Sequence, residues 1–233
     1  MIADPMWEVL DVALATPDDV GPAGVDPARR AVLELARRRF GVALAPPYAE
    51  RPDNPSEVPV RRGGATDGPA VAVVQRRAWR AKYRGLLSDA FLDGLDFSYL
   101  GTYWIARAAV SPSPRHRLLV VGRPGEVHGT VTTSPSRDTD TPPTIGEVRT
   151  LSVDPSSTRR GLGSMLLAAA VDALAADGFV EATLWVFEGN AAARMFYESR
   201  GWVTDGARTV SAIGPESVDE VRYRRRVNVR GRA

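Results

Sequence analysis

The chain has 233 residues, which is long enough for one large domain or two small ones with a substantial hydrophobic core. Apolar residues make up 44% of it and charged residues 25%, which excludes a wholly disordered chain, collagen and a coiled coil. Having no cysteine and only two histidines, the chain cannot build a disulfide framework or a metal centre of several imidazoles, and its net charge of +2 is too small to predict a nucleic-acid partner.

Apolar segments of the sequence are too short to cross a membrane. The longest unbroken apolar run, Met165 to Val171, falls well below the roughly 20 residues that a spanning helix needs. The N-terminus also lacks the basic and apolar regions of a signal peptide. We therefore expect a cytoplasmic protein without a membrane partner.

The segment from Met1 to Glu57 differs in pattern from the rest of the chain. Apolar residues at helical spacing predict a helix over Pro27–Phe40, and Trp7–Ala13 could form a shorter one. A proline-rich stretch that cannot continue a helix follows, with Pro46, Pro47, Pro52 and Pro55. We interpret residues 1–57 as a helical extension and linker attached to a main domain of residues 58–233.

The main domain interleaves predicted strands and helices without strict alternation. The predicted helices are Pro69–Leu87, Phe91–Ala109, Leu162–Ala176 and Ala191–Arg200. The predicted strands are Val58–Arg61, Arg117–Val121, Val127–Thr133, Ile145–Val153, Val180–Val186 and two around Gly214-Pro215 between Ala207 and Val227. This order predicts a mixed sheet in an α/β or α+β domain. The arginine-rich run from Arg222 to Arg226 is interpreted as a solvated edge strand.

A glycine turn lies between the strand Ile145–Val153 and the helix that follows it. Gly161 and Gly163 let the backbone bend sharply, and the first amides of a helix have no acceptor within it. Together with the helix dipole and the side chains of Arg159 and Arg160, they could bind a diphosphate. The alternative is an ordinary strand-to-helix turn. Neither a Rossmann fingerprint nor a Walker A loop is present, because Leu166 replaces the third glycine and no Gly-Lys-Ser/Thr follows.

In the strand before this turn, the apolar residues change from even to odd positions. Val148 stands at an even position, whereas Leu151 and Val153 stand at odd positions. Since successive side chains of a strand point to opposite faces, a β-bulge near Arg149 to Leu151 would restore one buried face. A strand buried on both faces is the alternative.

The glycine turn and a second motif resemble those of the GNAT superfamily of N-acetyltransferases. The matching residues run Glu147…Leu151-x-Val153-x-Pro155…Arg160-Gly161-Leu162-Gly163-Ser164…Asn190-x-x-Ala193-x-x-Phe196-Tyr197-x-x-x-Gly201-Trp202. The resemblance covers about Val58 to Val227 and implies a mixed, mostly antiparallel sheet flanked by helices and splayed at the cofactor-binding strands. One departure is Thr158, which stands where the family usually has Gln or Arg.

The resemblance also implies a reaction and its site. Acetyl-CoA would be the co-substrate, with no metal, and an amine would attack the thioester directly. The implied cofactor-binding residues are Leu151, Ser152, Val153, Arg159, Arg160, Gly161, Leu162, Gly163, Ser164 and Asn190. Glu147 would be the base and Tyr197 the acid that protonates the departing thiolate. The alternatives are a salt bridge from Glu147 to an arginine such as Arg149, a core role for Tyr197 and a purely helix-capping role for Asn190.

The acceptor amine and the role of residues 1–57 stay open at this stage. The resemblance places the acceptor near Trp79, Tyr83, Asp93, Asp96, Trp104 and Glu216, where acidic and aromatic groups would suit a cation. The competing hypothesis is a catalytically silent acyl-CoA-binding module in which the N-terminal segment mediates regulation or pairs two protomers as a homodimer.

Overall fold

The computed structural model describes residues 59–95, 104, 111, 113–213 and 215–227. The helices predicted at Trp7–Ala13 and Pro27–Phe40 lie outside this range, as does most of Phe91–Ala109. The helices are α1 Gly68–Lys82, α2 Asp89–Gly94, α3 Leu162–Ala176 and α4 Ala191–Glu198. The strands are β1 Val60–Arg62, β2 Arg117–Val121, β3 Gly129–Pro135, β4 Ile145–Val153, β5 Glu181–Phe187, β6 Val203–Ile213 and β7 Glu216–Arg226. Short 3-10 turns occupy Ala65–Asp67 and Pro155–Ser157.

The described strands form a sheet in the order β1-β2-β3-β4-β5-β7-β6. Every neighbouring pair is antiparallel except β4 and β5, which are parallel. Helix α3 packs on one face against β2, β3 and β4, and α1 packs on the other face of β3 and β4. The mixed, mostly antiparallel sheet with flanking helices is therefore confirmed.

Helix α3 supplies the centre of the hydrophobic core. It has the bounds that the sequence predicts, and Gly178, with φ of +83°, adopts the left-handed conformation just beyond its end. Its apolar residues recur every three or four positions and meet buried residues of the sheet. The buried helix residues are Leu162, Leu166, Leu167, Ala170, Val171 and Leu174. This packing fixes the start of α3, and hence the glycine turn, against the end of β4.

Helix α1 ends earlier than the sequence predicts. It stops at Lys82, whereas we expected it to continue to Leu87. Gly85 has φ of +80°, and the amides of Leu86 and Leu87 both donate to the Tyr83 carbonyl. A left-handed residue cannot continue a right-handed helix, so the chain turns here and begins α2, which Ser88 caps. Tyr83 thereby lies in a tight turn rather than inside a helix.

The bulge expected near Arg149 to Leu151 is confirmed. Thr132 of β3 pairs with Thr150, but the next residue, Thr133, pairs with Val148, so that Arg149 is the extra residue of β4. The extra residue moves Leu151 and Val153 onto the same side as Val148. All three residues therefore face the core around α3.

The interpretation of Arg222 to Arg226 as a solvated edge strand is wrong. Strand β7 lies between β5 and β6, and β6 forms the edge. Arg222 is buried, and its guanidinium binds the carboxylates of three residues: Asp138, Asp140 and Asp205. The hydrogen bonds to these carboxylates, first of all Asp140, raise its pKa. The charge thus belongs to an internal network that joins the β3–β4 loop to the sheet.

Candidate functional site

The glycine turn between β4 and α3 exposes backbone amides. Gly161 stands at the N-cap of α3 with φ of +78°, and Arg159 is also left-handed with φ of +61°. The first helical hydrogen bond runs from the Met165 amide to the Gly161 carbonyl, at 3.0 Å. The amides just before Met165 therefore have no acceptor in the helix. Together with the positive end of the helix dipole, they form a site suited to an anion.

Strands β4 and β5 separate beside this turn. They pair only where Ile145–Glu147 meet Glu181–Thr183, although β4 continues to Val153 and β5 to Phe187. On its other side, β4 stays paired with β3 as far as Val153. The edge of Leu151–Val153 that faces β5 consequently lacks a strand partner. The splay implied by the resemblance is present, and it leaves backbone groups that can pair with an extended ligand.

A cleft of about 620 Å³ joins the turn to the splayed strands. It contains most of the residues predicted to bind a cofactor, which are Leu151, Val153, Arg159, Gly161, Leu162, Gly163, Ser164 and Asn190. Two predicted binding residues, Ser152 and Arg160, do not line it. Ser152 is buried and pairs with Thr130 of β3. The remaining lining residues are Ala81, Lys82, Ser157, Thr158, Ala192, Ala193, Phe196, Tyr197 and Arg200.

Asn190 lies between the cleft and the start of α4. Its side-chain oxygen accepts a hydrogen bond from the Ala193 amide at 3.1 Å, which is the capping role that the sequence predicts. The cap uses only the oxygen, so the amide nitrogen of the same side chain remains as a donor for the cleft. Asn190 can therefore cap the helix and bind a ligand at the same time.

Ser164 has a partner that sequence reasoning missed. Arg200 donates from Nε to the Ser164 hydroxyl at 3.2 Å, and its guanidinium lies 3.9 Å from the centre of the Phe196 ring. Arg200 was predicted only as the last residue of a helix. Its guanidinium adds positive charge beside the exposed amides, and stacking on Phe196 holds it there. The only sequence signal is its spacing of four residues from Phe196.

Tyr197 lines the cleft on α4. Its ring packs edge-on against those of Phe196 and Trp202, with centroids 5.3 and 6.2 Å away. Burial, followed by the proximity of Tyr83, raises the pKa of Tyr197 well above its ordinary value. Its phenol therefore keeps its proton at neutral pH and can act as a donor but not as a base.

Glu147 lies at the point where β4 and β5 part, outside the lining of the cleft. The residue is only 3% exposed, and one side-chain oxygen, Oε2, is buried without a hydrogen bond. The nearest cation is the Nε atom of Arg137, 3.5 Å from that oxygen. The salt bridge considered from sequence thus has a partner on the β3–β4 loop, Arg137. A buried carboxylate oxygen without a donor is a group able to accept a proton.

Charge interactions relate Glu147 to Glu220, Glu220 to Tyr83, and Tyr83 to Tyr197. Burial and then the charge of Glu220 raise the pKa of Tyr83 to about 12, and Tyr83 in turn affects Tyr197. Burial also raises the pKa of Glu220, assisted by the charge of Glu147 and opposed by a hydrogen bond from Ser211. Sequence reasoning missed Glu220. The available signal was its position two residues before Arg222, which places both side chains on the same face of a strand.

The remaining acceptor candidates take structural roles or lie elsewhere. Trp104 is buried and donates to Gln75, Asp93 pairs with Arg80 and Arg84, and Glu216 accepts from the Ser88 amide. Asp96 lies outside the described residues. Two of the candidates, Trp79 and Tyr83, contact each other edge-on with ring centroids 5.4 Å apart, and Tyr83 is also affected by the charge of Glu220.

Within the described ranges, no group of three or more His, Cys, Asp or Glu residues could hold a metal ion. The described helices also include none that is long and apolar enough to cross a membrane. The candidate site therefore consists of backbone amides, arginines, one asparagine, tyrosines and carboxylates.

Comparison with known proteins decides the family. The sequence profile described as the Acetyltransferase (GNAT) family matches residues 78–202, more than half of the chain. The chain belongs to the GNAT family of acetyltransferases. The matched segment contains the glycine turn, the splayed strands and α4 of this GNAT protein. Residues 1–77 precede it.

A curated relative is similar over part of the protein. The mycothiol acetyltransferase of Kocuria rhizophila is 38% identical over 91 residues, which cover 38% of the GNAT chain described here and 30% of the relative. The alignment thus spans less than a third of the relative's length.

Solved structures of low sequence identity share the fold. The PaiA N-acetyltransferase of Thermoplasma acidophilum, solved in complex with coenzyme A, is 17% identical, with a TM-score of 0.55 over 71% of this chain and 98% of that one. A ribosomal-protein-alanine N-acetyltransferase from Brucella melitensis is 19% identical, with a TM-score of 0.56 over 72% of this chain and 98% of that one. These likenesses establish the GNAT fold.

Proposed function

We propose that this protein transfers an acetyl group from acetyl-CoA to an amine by direct attack within a ternary complex. The observation that carries the proposal is the cleft itself, in which free helix amides, an unpaired stretch of β4 and Tyr197 line one cavity. Membership of the GNAT family and a relative named as an acetyltransferase support acetyl as the transferred group. We assign this activity to residues 58–233 and regard residues 1–57 as an appendage.

The residues present fit coenzyme A. The amides of Gly161 to Ser164 would bind the diphosphate, because they lack an acceptor in the helix, and Arg159 and Arg200 would add positive charge beside them. Leu151 to Val153 would pair with the amide groups of the pantetheine arm as a strand would, and Asn190 would donate to the same arm. Bound in this way, acetyl-CoA would supply the activated acyl group.

The chemistry needs one proton removed and one delivered. An ammonium must lose a proton before it can attack, and Glu147, with its unpaired buried oxygen, is the base that we propose, acting directly or through a water molecule. Tyr197 keeps its proton because burial raises its pKa, so it is the donor that we propose for the departing thiolate. A backbone amide near Leu151 or Val153 would stabilise negative charge on the thioester oxygen.

The test compares two tyrosines. Tyr197→Phe should lower kcat by about a hundredfold or more in an assay of thiol release from acetyl-CoA with a panel of amines, with little change in the Kd of acetyl-CoA. The matched control is Tyr223→Phe, which also removes a phenol near α4 but one that binds Glu198 and does not line the cleft. The control should keep its kcat.

Two results would contradict the proposal. If no amine accelerates thiol release although acetyl-CoA binds tightly, the protein is the catalytically silent binding module. If Tyr197→Phe and Tyr223→Phe have the same kcat, Tyr197 is not the acid.

A further inference from the structure

Lys82 is the only lysine of the chain, and all its other Lys or Arg residues are arginines. It is the last residue of α1, and with Ala81 it lines the cleft that contains the glycine turn and Tyr197. No step of the proposed reaction uses it. A primary amine in a cleft that fits acetyl-CoA is itself an acceptor of the right chemical class.

The position of Lys82 places it toward the acyl end of the cleft. Tyr83, the next residue, packs on Phe187 with ring centroids 4.7 Å apart and is close enough to affect the pKa of Tyr197. The end of α1 therefore borders the Tyr197 side of the cleft. The short turn that follows, with Gly85 in the left-handed conformation, keeps α1 from continuing past this point.

The surroundings of Lys82 make its charged form less stable than it is in water. Although much of the side chain is exposed, loss of water around the ammonium lowers its pKa. Among the described residues, no carboxylate forms an ion pair with Lys82 that would offset this loss. A larger fraction of the amine is thus unprotonated at neutral pH than for a lysine in water, and only the unprotonated amine is a nucleophile.

We propose that Lys82 is a site of self-acetylation by acetyl-CoA bound in the same cleft. The ammonium first releases one proton to water. The neutral Nζ then attacks the thioester carbonyl carbon, so that an N–C bond forms and the C–S bond breaks, and the second amine proton ends on the thiolate of coenzyme A. The product carries a neutral amide where the cleft had a cation. This inference rests on the proposed binding of acetyl-CoA.

Because Lys82 is the only lysine, its acetylation can be measured from a single proteolytic cut. An endoprotease that cuts only after lysine can cut this chain only after Lys82, and acetylation blocks that cut. The folded protein is incubated with acetyl-CoA, quenched in denaturant and digested. The uncut fraction should rise with time and should be suppressed by excess coenzyme A. It should rise at least about tenfold faster than for the protein incubated in denaturant, because binding holds the two reactants together.

A reference lysine controls for indiscriminate acetylation. Arg226→Lys introduces an exposed lysine at the end of β7, where Arg226 pairs with Glu181, far from the splayed ends of β4 and β5. In this variant the endoprotease should still cut after position 226, whereas the cut after Lys82 should disappear. Lys82→Arg should gain no acetyl group within residues 59–227 by peptide mass.

Failure of this inference is distinguishable from failure of the proposed function. If the protein binds acetyl-CoA and acetylates an amine while the cut after Lys82 stays complete, self-acetylation is refuted and the proposed function stands. If both lysines of the Arg226→Lys variant are acetylated at the same rate, the reaction does not depend on the cleft and the inference is also wrong. If acetyl-CoA does not bind at all, the proposed function fails first.

Discussion

Replacing Gly161 by alanine separates a cost in stability from a cost in cofactor binding. Gly161 has φ of +78° at the start of α3, and a Cβ built on it would meet no heavy atom within 4 Å. No clash is therefore introduced, and the cost comes from placing alanine in the left-handed conformation, about 1–2 kcal/mol. For a protein of this size, each kcal/mol corresponds to about 2–4 °C in Tm.

The same substitution should weaken coenzyme A binding. Relief of the strained conformation would rotate the peptide groups that carry the exposed amides of the turn. Losing one hydrogen bond to a charged group costs about 1.5–3 kcal/mol. We therefore expect the Kd of coenzyme A, measured by calorimetric titration of Gly161→Ala, to rise by about 10- to 100-fold.

The matched control is Gly206→Ala in the edge strand β6. Gly206 has φ of +86° and equally open space around a built Cβ, but it does not line the cleft. Both variants should lose similar stability, and only Gly161→Ala should lose affinity. Equal affinities for coenzyme A in the two variants would refute the role that we assign to the turn.

Three further predictions concern charged groups. Arg222→Leu should lower the free energy of unfolding in urea by about 1–3 kcal/mol, because it removes the cation shared by Asp138, Asp140 and Asp205. The loss stays within this range because Asp140 is exposed and Asp205 keeps an ion pair with Arg224. Arg226→Leu at an exposed position should change it by about 0.5 kcal/mol or less. Similar values for the two variants would exclude the network as a stabilising element. Burial opposes ionisation of Asp67, but hydrogen bonds from Arg61, Gly64 and Gly125 prevail and lower its pKa below 3.8. The ionised Asp67 therefore stabilises the folded state fully above pH 3.8, and this stabilisation is lost as the pH falls through the lower pKa of the folded state. The Tm of Asp67→Asn should consequently approach that of the natural protein only in acid. A constant difference in Tm at every pH would contradict this. Glu147→Gln should lower kcat by about a hundredfold at neutral pH with the Kd of acetyl-CoA unchanged, and an unaltered kcat would exclude Glu147 as the base.

Local patterns of the sequence predict the parts of the structure that depend on neighbouring residues. The parity change between Val148 and Leu151 predicts the bulge, because a strand with one buried face cannot change parity without an extra residue. The bounds of α3 follow from its glycines at both ends and from its apolar spacing. The glycine turn and the cap at Asn190 could be found for the same reason, whereas the splayed strands were expected only from the family resemblance.

Interactions between distant residues could not be predicted in this way. The partners of Arg222 lie on the β3–β4 loop and on β6, up to 84 positions away in sequence, so a run of arginines had no visible counter-charges. Arg137, which lies 3.5 Å from Glu147, belongs to the β3–β4 loop, whose path the sequence pattern does not define. The contact of Arg200 with Ser164 spans 36 positions and joins the turn after α4 to the start of α3.

An amide-resolved NMR titration of the protein with coenzyme A would show directly whether the glycine turn and the splayed strands hold the cofactor. We expect the amide signals of Gly161 to Ser164 and of Leu151 to Val153 to shift first and furthest, because these are the groups proposed to bind the diphosphate and the pantetheine arm. Amides of the edge strand β6 should not move. If coenzyme A binds while the signals of the glycine turn stay in place, or if no signal responds to it, the cleft is not the cofactor site.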